Sequence, residues 1–151
     1  VTLDAYDAEG RLYPATVGDL YYGDTLTSPW VRLDSIFDPY SRALSAGDSI
    51  YLSFYYLPGG GSGNMWERIG DCPDPQDSLL LEFYHPERDC WQQVWGRGGV
   101  SVDTLLAQTG CAWQYVQVPI TDSAYLRPNF RFRFRKHISH GNEIIKRGQI
   151  S

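Results

Sequence analysis

Asp48-Ser49-Ile50-Tyr51-Leu52-Ser53-Phe54-Tyr55 returns further along the chain as Asp77-Ser78-Leu79-Leu80-Leu81-Glu82-Phe83-Tyr84. Each copy opens on a turn-forming Asp-Ser pair and then places apolar residues at every second position. Ile50, Leu52 and Phe54, like Leu79, Leu81 and Phe83, are therefore predicted to share one face of a sheet. Phe130-Arg131-Phe132-Arg133-Phe134-Arg135 states the pattern more sharply. Phe on one side and Arg on the other fit a half-buried strand, with one face on a core and the other towards water.

Working outward from these segments, strands are predicted near residues 1–6, 19–22, 30–33, 49–57, 78–84, 90–95, 114–120 and 129–136. Turn chemistry separates them, as at Asp7-Ala8-Glu9-Gly10, Ala46-Gly47-Asp48 and His85-Pro86-Glu87-Arg88-Asp89. Short strands at this spacing predict an all-β fold, a two-sheet antiparallel sandwich. Two connections are long, 58–76 and 96–113, and the second is expected to hold one helical turn near 102–107. At 151 residues the chain is read as a single domain, 1–151, with an atypical tail over 136–151 that is either a divergent final strand or a missing one.

Aromatic residues make up 15% of the chain, with 11 Tyr and 5 Trp, more than alternating strands need for their buried faces. A formal charge of −5 gives no reason to expect nucleic acid as a partner. No apolar run reaches about 18 residues, so no membrane span is expected, and no signal peptide is read at Val1-Thr2-Leu3-Asp4.

Several segments, taken in order, carry a family resemblance. They are Asp24-Thr25-Leu26-Thr27-Ser28-Pro29, then 47–56, then Asp77-Ser78-Leu79-Leu80-Leu81-Glu82-Phe83. Val94-Trp95, Val116-Gln117-Val118-Pro119-Ile120 and the Phe-Arg strand follow. Across about residues 19–136 the order resembles a jelly-roll module of secreted and cell-surface Bacteroidota proteins, associated with type IX secretion and gliding motility, and distantly the MAM domain. The resemblance implies a jelly-roll sandwich, an extracellular or cell-surface location, and a binding, adhesion or spacing role with a glycan or protein partner. Modules of this kind normally end in a Trp-Ile-Asp-rich strand; the Lys136–Lys146 segment departs from that.

Candidate sites follow from residue chemistry. Trp66, Trp91, Trp95 and Trp113, with Tyr21, Tyr22, Tyr51 and Tyr55, offer rings for stacking on sugars, unless they fill the core. Trp91 and Trp95 stand four apart and are expected to share a face, with Gln93 as a central amide. Trp66 rides a glycine-rich loop as an aromatic anchor. Asp71, Asp74 and Asp77 gather three carboxylates in seven residues, the hard oxygen ligands that calcium takes, unless they only shape a turn. In an oxidising compartment Cys72 and Cys111 are expected to form a disulfide at one end of the 78–95 hairpin, leaving Cys90 at the turn end; the alternative is three unrelated reduced thiols. The row Arg131, Arg133 and Arg135 is expected to be neutralised by carboxylates such as Glu82 on a neighbouring strand. His85, His137 and His140 show no partner pattern. No nucleophile–base or metal-ligand motif is present, so no catalytic residues are assigned. The alternatives are a carbohydrate-binding module of a larger enzyme, and a glycoside-hydrolase-like domain using an acidic pair, with Glu82 and Glu87 the only tempting choice.

Overall fold

The computed structural model describes residues 3, 7–11, 13, 21–59 and 72–138. Among the described residues eight strands and one α-helix follow in order: β1 (Tyr21–Thr27), β2 (Ser35–Ile36), β3 (Arg42–Ala43), β4 (Tyr51–Tyr56), β5 (Ser78–His85), β6 (Cys90–Gly98), α1 (Val102–Thr109), β7 (Gln114–Pro119) and β8 (Phe132–Ile138). All pairings are antiparallel. Four strands form one sheet in the order β1-β8-β5-β6, while β4 pairs with β7 and β2 with β3.

The repeated octapeptide does in three dimensions what its alternation requires. Ile50, just before β4, and Leu52 and Phe54 within it pack on the core, and in β5 Leu81 and Phe83 are among its most buried members. The Asp of each Asp-Ser opening stands at a turn, while Ser78 already begins β5. Asp48 ends a 3-10 turn, closes a capping box with Ser45 and is followed by Ser49 at φ 54°. Asp77 accepts the Asp74 N–H through its carboxylate. Phe83 meets Tyr125 and Phe130 edge-on at 5.4 and 5.0 Å, the preferred arrangement for ring quadrupoles. Phe54 of β4 meets Trp95 of β6 at 5.2 Å and Phe134 of β8 at 4.8 Å. These rings seat the β4–β7 pair on the four-stranded sheet, with Val116 and Val118 of β7 completing the shared core.

The strands differ from expectation in several places. The segment 30–33 contributes only an isolated bridge, Val31 to Phe130. The short β2–β3 pair has too few residues to show a period. β1 runs on to Thr27 and β6 to Gly98. β8 continues to Ile138, so the first residues of the supposed tail are strand, pairing at Tyr21↔Ile138 and Tyr22↔His137. The predicted strand at 1–6 and the tail from 139 lie outside the described residues, apart from residue 3. The expected helical turn is a full helix, α1. Ser101 caps it by accepting the Thr104 N–H at 3.1 Å, and Gly110 stops it at φ 75°, where glycine avoids the Cβ clash. Val102 and Leu105 are its buried residues.

Candidate functional site

The β4–β7 pair has an inner face and an outer one. The register sets Tyr51 opposite Pro119, Ser53 opposite Gln117 and Tyr55 opposite Tyr115. Because Leu52, Phe54, Val116 and Val118 take the core side, these six residues face outward. Tyr51, Tyr55 and Tyr115 are 49%, 66% and 54% exposed, and Trp113, just before β7, is 59% exposed. The Tyr55 and Tyr115 rings lie 5.1 Å apart, tilted by 46°. Tyr51 and Tyr55 are four residues apart, about 13 Å along the strand. The face is therefore an open aromatic strip with a hydroxyl and an amide, Ser53 and Gln117, between its two ends. Rings of this kind stack on the C–H faces of sugars while the polar pair takes hydroxyls. Tyr51, Tyr55 and Trp113 were legible as candidates. Tyr115 was not, because its partnership with Tyr55 depends on a pairing between strands far apart in sequence.

The expected Trp91–Gln93–Trp95 ribbon does not form. β5 and β6 change register between Leu81↔Trp95 and Glu82↔Gln93, so Val94 is an extra residue on β6. This bulge reverses the alternation. Trp95 turns inward against Phe54 and, at 5.4 Å, Tyr56. Trp91 stays outward, 5.5 Å from the Tyr84 ring and 4.2 Å below the Arg133 guanidinium. Gln93 stands opposite Glu82 on the same outer face.

Two arginines of the row, Arg133 and Arg135, are paired with a carboxylate as the sequence suggested, while Arg131 lies against aromatic rings. Glu82 Oε2 accepts from Arg133 Nε at 2.5 Å and Oε1 from the Arg135 guanidinium at 2.9 Å. Arg131 lies over Trp30 at 4.6 Å and near Trp91 at 5.9 Å, and Arg135 covers the Tyr22 ring. Glu87 pairs instead with Arg127 at 2.8 Å. The tempting acidic pair is thus divided between a strand face and a turn, and each carboxylate is held by guanidinium groups.

The remaining candidates separate. Cys72, Cys90 and Cys111 are unbridged and exposed. The expected Cys72–Cys111 bridge is absent because α1 stands between them. Cys72 shares a shallow cavity with Ser101 and Thr104 at the helix start, and Cys111 follows its end. Eight helical residues span about 12 Å, against the roughly 4–7 Å between bridged Cα atoms. Asp77 is buried, and its carboxylate takes the Asp74 N–H and faces Lys136 Nζ at 3.9 Å. Gly99 closes this turn, its N–H donating to the Asp77 carbonyl at 2.6 Å. Among the described residues no three His, Cys, Asp or Glu side chains gather as a metal site. Trp66, Asp71 and His140 lie outside the described residues. His85 is buried beside Tyr125, and His137 Nδ1 meets the Ser78 hydroxyl at 3.3 Å. The short hydrogen bond from Tyr84 to Asp89 raises the Tyr84 phenol above its ordinary range, and burial raises Tyr56 and Tyr125.

Among the described residues no helix is long and apolar enough to cross a membrane. No protein-family model matches the chain, and no curated protein or solved structure is found similar to it.

Proposed function

We propose that the chain is a non-catalytic binding module of a secreted or cell-surface protein, a jelly-roll sandwich of the kind its strand order resembles, and that it takes a glycan on the outward face of β4–β7. The observation that carries this reading is the exposed strip of Tyr51, Tyr55 and Tyr115 on a paired, ordered sheet face. A soluble domain has little reason to leave adjacent large rings in water unless something covers them. The division of the work supports it too. Phe and Leu fill the interior, while the outward rings are tyrosines, which combine an apolar body with a hydrogen-bonding tip. The non-catalytic part is supported by the fate of Glu82 and Glu87, each engaged by arginine and on different elements.

A glycan-array screen followed by calorimetric titration tests the proposal. The parent protein binds a polysaccharide or oligosaccharide, and Tyr55→Ala and Tyr115→Ala each weaken it about tenfold or more, which is about 1.4 kcal/mol. Both rings are exposed, so the melting temperature stays at the parent value. Binding that survives both substitutions removes the β4–β7 face from the function. Turnover of the bound glycan by the purified parent protein would make it an enzyme.

A further inference from the structure

The tyrosine strip of β4–β7 is long and narrow, and its shape restricts what can lie on it. Both strands alternate cleanly. On β4, Tyr51, Ser53 and Tyr55 are exposed while Leu52, Phe54 and Tyr56 are half-buried. On β7, Tyr115, Gln117 and Pro119 are exposed while Gln114, Val116 and Val118 are buried or half-buried. Cross-strand partners make three outward rungs, Tyr55–Tyr115, Ser53–Gln117 and Tyr51–Pro119. Successive rungs stand about 7 Å apart along the strands. A polar rung thus lies between two apolar ones, and the exposed Trp113 continues β7 beyond the Tyr55–Tyr115 rung.

Area decides against a protein as the occupant. Two strands over this length offer on the order of a few hundred Å², against about 800 Å² that a stable protein partner covers on each side. Charge decides the class of glycan. Asp, Glu, Lys and Arg make up 21% of the chain, yet none of the six rung residues is charged, so the strip has nothing to select an acidic or basic group. Enclosed sites bury most of a small ligand and recognise it from all sides. Here Tyr51, Tyr55 and Tyr115 are each about half exposed or more, and a ligand is held from one side. Such a strip gains contact through length, because each further sugar meets another rung. We propose, building on the glycan reading above, that the strip takes the interior of an extended, uncharged polysaccharide chain lying along the strands. Tyr55 and Tyr115 stack on one sugar, Tyr51 stacks on a sugar further along, and Ser53 and Gln117 hydrogen-bond the hydroxyls between them. Recognition then depends on chain length and not on a chain end.

Calorimetric titration with the disaccharide, tetrasaccharide and hexasaccharide of cellulose, xylan and mannan tests it, with a galacturonate hexasaccharide as the charged control. At least one neutral series binds, and its affinity rises about tenfold or more from disaccharide to hexasaccharide. Added salt leaves that affinity unchanged, because no charged contact is there to screen. Capping the reducing end of the hexasaccharide as a methyl glycoside changes nothing. Tyr51→Thr removes the ring but keeps a residue suited to strands. It abolishes the rise with length, while the disaccharide binds as it does to the parent. Tyr51→Phe, which keeps the ring, retains the rise. The proposal fails and the glycan reading stands where a glycan binds through Tyr55 and Tyr115 with one of four results. These are a hexasaccharide no tighter than the disaccharide, parent-like titration by Tyr51→Thr, loss of binding on capping, and preference for galacturonate or for glycans outside the neutral series. No glycan binding at all, or binding that survives both Tyr55→Ala and Tyr115→Ala, removes the glycan reading and this proposal with it.

Discussion

Glu82 is buried to 5% exposure and holds two guanidinium groups that sit one strand away. Removing one partner of a buried ion pair costs more than the pair contributes, because the remaining charge stays desolvated. Glu82→Gln is therefore expected to destabilise by about 3–5 kcal/mol, read as a lower denaturant midpoint at unchanged slope. A midpoint equal to the parent's would show that the arginines find water instead. Tyr84 makes a prediction at the alkaline end. Its folded-state phenol titrates above the unfolded value, because the hydroxyl donates a hydrogen bond to the Asp89 carboxylate. That bond stabilises the fold below pH of about 10, and the contribution is lost as pH rises through the folded value. Tyr84→Phe should flatten this alkaline limb of stability against pH, and an unchanged limb would assign it to other groups. The pairing of Glu82 with the arginine row was legible from two alternations read side by side. The seating of Arg131 over Trp30 was not, since Trp30 lies outside any strand and only the bridge at Val31 brings it there.

At the scale of elements, alternation located β4, β5, β7 and the Phe-Arg strand, because each buries one face and the period of two follows directly. It failed at β6, where the inserted Val94 shifts every later side chain to the other face. A bulge leaves no mark in hydrophobic pattern when both Val94 and Trp95 are apolar, as here. Deleting Val94 should restore strict alternation, turn Trp95 out of its contacts with Phe54 and Tyr56, and weaken the near-ultraviolet circular dichroism. A deletion variant with the parent spectrum would mean that the bulge is dispensable. Phe83, at 1% exposure, sits deeper than Phe132 on β8. Phe83→Ala should cost about 3–5 kcal/mol and Phe132→Ala measurably less. The reverse order would place the centre of the core elsewhere. The helix α1 was underestimated because a short segment shows few periods, although its Ser101 and Gly110 caps stand plainly in the sequence.

For the whole molecule, the sheets share one interior and present two unlike exteriors. The tyrosine strip of β4–β7 is uncharged, while the outer face of the four-stranded sheet gathers Arg131, Arg133 and Arg135 in a chain of net charge −5. Composition announced the surplus of aromatics but not where it lay, since exposure depends on which strands pair, and β4 and β7 are joined only through the fold. Between the two exteriors stand Phe54, Trp95 and Phe134, in edge-on contact around Phe54. A close-packed interior of this kind has no second arrangement of similar energy for a ligand to select. A ligand on the β4–β7 face should therefore leave the four-stranded sheet as it is. Saturating the tyrosine strip with its glycan should leave the backbone amide chemical shifts of β5 and β8 unchanged. Shifts spread over β5 and β8 would mean that the sheets move against each other on binding, and that Phe54 is a joint rather than a fixed contact.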